Sequence, residues 1–135
     1  MSNVRRHKNM LGACLTFLQR LFRNTDAEII EDSPTVLAVQ SQQTLTEFNR
    51  QTGEIHQNSR YVGRMPLVEW IEVRQSRVPR ESIRFVIALE VGAHRQVELG
   101  YSHDPTEASI IAAHIGTATG KPVYIRRDSG ELVGA

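Results

Sequence analysis

The feature that most constrains the fold is the alternation of apolar and polar residues over residues 83–101. Side chains of a β-strand point alternately to its two faces, so this alternation places the apolar side chains together. The apolar positions are Ile83, Phe85, Ile87, Leu89, Val91, Val97, Leu99 and Tyr101. Gly92-Ala93-His94 separates the two runs. The segment therefore predicts an antiparallel hairpin with one buried face.

A helix is predicted directly after this hairpin, over residues 105–119. Asp104 is a suitable N-cap, Pro105 suits the first helical position, and Glu107 completes a capping-box arrangement. Apolar residues then recur at helical spacing. Gly116 or Gly120 can end the helix, because glycine readily adopts the left-handed conformation of a C-terminal cap.

Strand signals precede the hairpin. Residues 35–41 and 67–75 are rich in β-branched and other apolar residues, and Gly53 supplies a turn between two further strands. Residues 24–35 are polar and acidic, which is typical of a linker or an irregular edge. A short strand is predicted at 122–127.

The order of these elements is a helix, about six strands, a second helix and a tail. Consecutive strands joined by hairpins, with a closing helix, predict an α+β fold with an antiparallel sheet rather than βαβ units. The expected divisions are an N-terminal helix at 1–24, a β domain at 25–128 and a tail at 129–135.

The composition is that of an ordinary folded domain. The 135 residues are 40% hydrophobic and 23% charged, and the net charge of +1 gives no argument for a nucleic-acid partner. The basic residues are 14 Arg and 2 Lys, and the planar fork of Arg suits carboxylates and phosphates. Cys14 is the single cysteine, so an intrachain disulfide and a cysteine-based zinc site are excluded. This fits a cytoplasmic protein.

Residues 8–23 show an amphipathic pattern. On a helix, their apolar side chains share one arc of roughly 160°. This arc contains Met10, Leu11, Cys14, Leu15, Phe17, Leu18, Leu21 and Phe22. Polar and basic residues fill the other side. The predicted helix can attach to a membrane surface, pack on its own domain, or pack on a protein partner or a second copy. It is too short and too interrupted to span a membrane.

Several stretches of the chain resemble a known family. They are FNRQTGEI at 48–55, MPLVEWIEV at 65–73, the hairpin at 83–101 and the capped helix that ends near residues 120–122. Together they resemble the bacterial PH-like domain proteins, which are small and often membrane-associated. The resemblance implies a strongly bent antiparallel sheet closed by the last helix. It also implies binding of a lipid headgroup or a protein, without catalysis.

No catalytic or metal-binding motif is evident. The five histidines have no metal-ligand spacing, and there is no G-x-S-x-G motif. The stretch 116–122 contains Gly-Lys, but Pro122 stands where a phosphate-binding loop requires Ser or Thr. We therefore expect no enzyme, no metal and no cofactor.

Four arginines surround the loop at Pro79. Arg74, Arg77, Arg80 and Arg84 are a candidate anion-binding site, since loops between strands are where a PH-like domain would meet a phosphorylated headgroup. The alternative is a solvated loop whose arginines pair with neighbouring glutamates.

The sequence thus predicts a non-catalytic binding or scaffold module. We expect a cytoplasmic protein, attached through its N-terminal helix to the surface of the inner membrane or to a larger protein assembly. A protein partner or homo-oligomer is expected, and no small-molecule substrate is evident. The alternative function is a nucleic-acid-binding accessory protein that uses the N-terminal basic residues and Arg74 to Arg84.

Overall fold

The computed structural model of the protein describes residues 26–77 and 82–135. These residues form ten strands, one α-helix and a short 3-10 helix, Met65–Leu67. The strands are β1 (Glu28–Asp32), β2 (Val36–Ser41), β3 (Thr44–Asn49), β4 (Glu54–Gln57), β5 (Arg60–Arg64), β6 (Trp70–Arg77), β7 (Ile83–Glu90), β8 (Gln96–Ser102), β9 (Val123–Arg126) and β10 (Leu132–Gly134). The helix is α1 (Pro105–Thr119).

The first sheet is an antiparallel meander in which β1 to β5 follow one another in space as in sequence. Its turns are set by local chemistry. Asn58 and Ser59, between β4 and β5, have φ values of 48° and 69°, as a two-residue hairpin turn requires. Before β4, the side chain of Asn49 accepts hydrogen bonds from the backbone N–H groups of Gln51 and Thr52.

The second sheet has the order β10-β9-β6-β7-β8. The predicted hairpin forms its β7–β8 pair, with a bulge between Ile87 and Ala88. β9 lies parallel to β6, with Val73 opposite Ile125. A parallel pair needs a crossover connection, and α1 belongs to the crossover here.

Helix α1 occupies the span that its capping signals predict. The Asp104 side chain accepts a hydrogen bond from the Thr106 N–H at 2.9 Å, and Gly120 ends the helix with φ at 70°. The helix packs on β6, β7, β8 and β9. We call the sheet face toward α1 the inner face; Ile71 and Ile87 lie on it. The opposite side is the outer face.

One apolar core joins the two sheets and α1. The largest fully buried apolar side chains are Phe48, Leu37, Ile55, Ile71, Ile87, Leu89, Leu99 and Ile115. The sheets meet at β8, where the Tyr101 carbonyl accepts from the Ala27 N–H at 2.8 Å and the Glu98 carbonyl accepts from the Gln57 amide at 2.8 Å. The open edge of β8 is therefore partly satisfied by residues near or in the first sheet.

The predicted α+β class, with one bent antiparallel PH-like sheet closed by a helix, is wrong. Strands hold 53% of the described residues, they form two sheets, and α1, with 15 residues, is the one α-helix among residues 26–77 and 82–135. The strands β6 and β9 are also parallel. Local patterns identified strands but could not show that they separate into two sheets, because that division depends on long-range pairing.

Two segments predicted as irregular are in fact strands. Residues 24–35 contain β1, which pairs with β2 through a bulge beside Ile30. Residues 129–135, expected as a tail, contain β10, which pairs with β9. Both strands are at sheet edges, where one polar face and one free backbone edge weaken the apolar signal.

Candidate functional site

Two of the four candidate arginines lie together on the outer face of the second sheet. Arg84 on β7 is directly opposite Ser76 on β6, and Arg74 is two residues from Ser76. Residues two apart on a strand share a face, as do directly opposite residues. The pairing of β6 and β7 therefore places Arg74 and Arg84 side by side.

Both arginines line a polar pocket of about 360 Å³ where the turn between β2 and β3 meets β8. We call it the arginine pocket. Its polar side chains are Ser41, Gln42, Thr44, Arg74, Ser76, Arg84, Glu98 and Tyr101. Two positive charges and one negative charge thus line the pocket, along with hydroxyl groups that can donate hydrogen bonds.

The guanidinium of Arg84 is positioned by Tyr101. Its central carbon lies 4.3 Å from the centre of the Tyr101 ring, a cation–π contact. The Tyr101 hydroxyl accepts a hydrogen bond of 2.6 Å from Gln42 Nε2. The ring is thereby connected to the β2–β3 turn, and the arginine stacked on it is held at one orientation beside the pocket.

The guanidinium of Arg74 is already bonded to protein groups. It donates to Gln96 Oε1 at 2.5 Å and to Glu98. Its side chain is 25% exposed. Arg74 therefore lowers the negative potential of Glu98 at the pocket.

The pocket depends on an unusually close approach at Gly100. Its φ is 145°, and a Cβ at this position would lie 2.1 Å from both Cβ and Oγ of Ser41. Only a residue without a side chain fits here. Gly100 thus lets the end of β2 sit directly against β8, and this contact forms one wall of the pocket.

Beneath the outer surface lies a buried charge, Glu72, which is fully shielded from solvent. Its Oε1 accepts from Arg126 Nη2 at 3.0 Å and from Trp70 Nε1 at 3.4 Å. Arg74 Nη1 lies 3.8 Å from Glu72 Oε2. Burial acts to raise the pKa of Glu72, but the hydrogen bonds from Arg126 and Trp70, with the charges of Arg126 and Arg74, outweigh it. The pKa lies below its ordinary value. Glu72 thus stays ionised and fixes Arg126 and Arg74.

The other predicted site residues are not in this pocket. Arg77 is an odd number of positions from Arg74 on the same strand, so it points to the inner face. Arg80 lies outside the described residues. So does the predicted attachment helix with Met10, Leu11, Leu15, Phe17, Leu18, Leu21 and Phe22.

Sequence reasoning missed the partners of the arginines. Ser41, Gln42 and Thr44 come from a different sheet, and no local pattern indicates that their turn reaches β8. Simple alternation predicts Tyr101 on the apolar face of its strand. The bulge in β8 changes the alternation and turns Tyr101 toward Val86 on the outer face.

One cluster on the described chain has the composition of a hydrolase triad but not its geometry. His103 Nδ1 lies 2.7 Å from Asp26 Oδ1, and the Ser102 hydroxyl donates to Asp26 Oδ2 at 3.4 Å. A catalytic serine would bond to the histidine ring instead. Ser102 also accepts from the Asp104 N–H, at 3.1 Å. The cluster connects the residues before β1 to the start of α1.

Residues 26–77 and 82–135 contain no group of three or more His, Cys, Asp or Glu side chains placed to hold a metal ion. Within the same residues, no helix has the length and apolar character needed to cross a membrane.

Comparison of the chain with protein-family models, with curated proteins and with solved structures finds no match.

Proposed function

We propose that this protein is a non-catalytic binding module whose arginine pocket holds one anionic group, a carboxylate or a phosphate, of a protein partner. The observation that carries the proposal is the Arg84 guanidinium, stacked on Tyr101 at the edge of a pocket lined by hydroxyl groups. A guanidinium in a fixed orientation binds an oxyanion through two parallel hydrogen bonds and loses little side-chain freedom in doing so.

The charges favour a single anionic group over an extended polyanion. Arg74 is bonded to Glu98 within the pocket, and Arg77 lies on the other face of the sheet. A nucleic acid needs several cations along its phosphate backbone. On the described outer face, Arg74 and Arg84 share one pocket with a glutamate, which suits a compact anion.

The test is a titration of the full chain with two probes, inorganic phosphate and acetate, which separate the two sources of the anion. Side-chain N–H signals of arginine in NMR spectra report the binding directly. We expect the Arg84 signal to shift, and Arg84→Gln to weaken binding of the preferred probe by about tenfold or more, as loss of a charged hydrogen bond predicts.

Arg77→Gln is the matched control, since it removes the same charge from the opposite face of the same sheet. It should leave the affinity within about twofold, because an exposed and distant charge contributes little. Equal weakening by Arg84→Gln and Arg77→Gln would indicate unspecific electrostatics and would contradict the proposal.

The nucleic-acid alternative predicts a different result with a single-stranded oligonucleotide as probe. Affinity would then fall steeply with salt, and both variants would weaken binding. We expect no such binding.

A further inference from the structure

The inner face of the second sheet is not fully covered by α1. Along β7, exposure increases away from the core: Ile87 is fully buried, Phe85 is half-buried, and Ile83 is 38% exposed. On β9, Ile125 is 39% exposed. These residues lie toward the sheet end where β6 ends and β7 begins, on the face opposite to the arginine pocket.

A second pocket of about 360 Å³ opens at this place. Val73, Phe85 and Ile125 supply its apolar lining, and Gln75 and residues 126–129 supply the rest. We call it the apolar groove. Its lining is mainly apolar, and contact of such a surface with water is unfavourable by roughly 25 cal/mol for each Å². An apolar surface of this kind fits an apolar partner segment.

The described chain begins close to this groove. Asp26 Oδ2 accepts a hydrogen bond from the His103 N–H at 3.0 Å, which fixes Asp26 to the end of β8. At that end Ser102 is directly opposite Phe85, a wall of the groove. Because Ala27 bonds to the open edge of β8, the segment before Asp26 starts about two strand spacings from Phe85, on the order of 10 Å in the plane of the sheet.

The chain length before Asp26 is sufficient. Residues 23–25 can span roughly 10 Å when extended, which covers the two strand spacings from the open edge of β8 to β7. Residues 10–22, if helical, are about 20 Å long and present the apolar arc described from the sequence. The strands that line the groove, β7, β6 and β9, span roughly 10 Å between the outer two, so a helix of this length laid across them would cover the groove with its apolar arc.

We infer that residues 10–22 occupy the apolar groove and cover the inner face of the second sheet beside α1. The occupant is thus a segment of the same chain. A membrane surface and a second copy are the competing occupants, and the experiment below separates them from the inferred one.

Cys14, the single cysteine of the chain, makes a direct test possible. In the variant Ile125→Cys, mild oxidation of the full chain should give an intramolecular disulfide between the introduced thiol and Cys14. Such a bond requires Cα atoms within about 7 Å. Ile125 is 39% exposed, so the substitution should leave the fold intact, which a thermal unfolding curve checks.

Tyr61→Cys is the matched control, since Tyr61 is 54% exposed and belongs to the first sheet. We expect the disulfide to form at least about tenfold faster with Ile125→Cys than with Tyr61→Cys, because docking raises the effective concentration of the two thiols. Equal rates, or no disulfide in either variant, would overturn the inference. A disulfide that forms only between two chains would assign the groove to a second copy and also overturn it.

A pair of changes within the segment gives an independent readout. Leu18→Asp, added to Ile125→Cys, places a charge in the apolar arc and should slow the disulfide by about tenfold or more. Gln19→Asp adds the same charge on the polar side and should change the rate by less than about twofold. If both changes act alike, the apolar arc does not contact the groove. If vesicles of phosphatidylglycerol bind the full chain and no intramolecular disulfide forms, the membrane is the occupant and the inference fails.

Discussion

Glu72 and Arg126 form an ion pair across the parallel strands β6 and β9, with 3.0 Å between Glu72 Oε1 and Arg126 Nη2. The glutamate side chain is fully buried, whereas the arginine side chain is 34% exposed. Removing Glu72 and removing Arg126 would therefore have different consequences. Without Glu72, the arginine can turn to solvent; without Arg126, the carboxylate stays in the sheet.

Arg126→Ala should therefore destabilise the protein strongly. A buried charge that loses its partner costs several kcal/mol, and the remaining charge of Arg74 at 3.8 Å reduces this, so we expect a loss of about 2 kcal/mol in the free energy of unfolding. Urea denaturation measures it. Arg127→Ala, at the exposed neighbouring position, is the control. The double variant Arg126→Ala with Glu72→Gln should recover part of the loss, because no buried charge then remains.

The stability of the fold should depend on acid through Glu72. The pKa of Glu72 in the folded chain is below its ordinary value of 4.5. A carboxyl group with a lowered folded pKa stabilises the fold fully above its unfolded pKa, and this contribution is lost as the pH falls through the folded pKa. Unfolding free energies measured from pH 6 downward should thus decline below about pH 4.5.

Glu72→Gln should flatten that decline, since an amide does not titrate. Glu131→Gln removes an exposed carboxylate and is the matched control. A profile of Glu72→Gln as steep as that of the parent chain would assign the acid sensitivity to other groups.

Gly100→Ala should disrupt the contact between the two sheets. The added Cβ would lie 2.1 Å from Ser41, which is buried at the end of β2, and the φ of 145° is unfavourable for alanine. Overpacking and backbone strain together predict a loss of about 3 kcal/mol or more in the free energy of unfolding. Gly134→Ala meets no atom within 4 Å and should have little effect.

A second change separates the two causes at Gly100. Ser41→Gly removes both clashing atoms, so the double variant should recover the steric part of the loss and keep the part due to φ. No recovery at all would show that steric overlap with Ser41 is not the cause.

Asp104→Ala should cost about 1 kcal/mol, because it removes the side-chain acceptor for the Thr106 N–H at the start of α1. Asp104→Asn keeps an acceptor oxygen and should lie within a few tenths of a kcal/mol of the parent chain. Thermal unfolding of the three proteins gives the comparison. Equal loss in both variants would mean that the charge, rather than the cap, stabilises the helix.

The local parts of the fold were predictable from sequence. Helix α1 and the β7–β8 hairpin carry their information within a few residues, in the Asp104 cap and in the alternation from Ile83 onward. The parallel β6–β9 pair has no such local signal. The residues that it joins, Glu72 and Arg126, are 54 positions apart, and their strands are short or contain charges.

The candidate site was predictable in part. The chemistry of arginine makes Arg74 and Arg84 candidate ligands of an anion, and their shared face follows from strand alternation and the pairing of β6 with β7. The same alternation places Arg77 on the opposite face, although its nearness in the sequence, beside the predicted loop at Pro79, predicts one cluster. The wall at Ser41 and the position of Tyr101 depend on a bulge and on sheet contact, and neither is encoded by spacing along the chain.

The long separation of Glu72 from Arg126 also bears on how the protein is made. During synthesis, Arg126 is added to the growing chain 54 residues after Glu72. Until then, β6 and β7 can pair, but the carboxylate that they enclose lacks its closest positive charge. During translation, the second sheet is therefore completed only when the segment after α1 has emerged. Until then, the Glu72 carboxylate is more hydrated and less firmly held than in the finished protein.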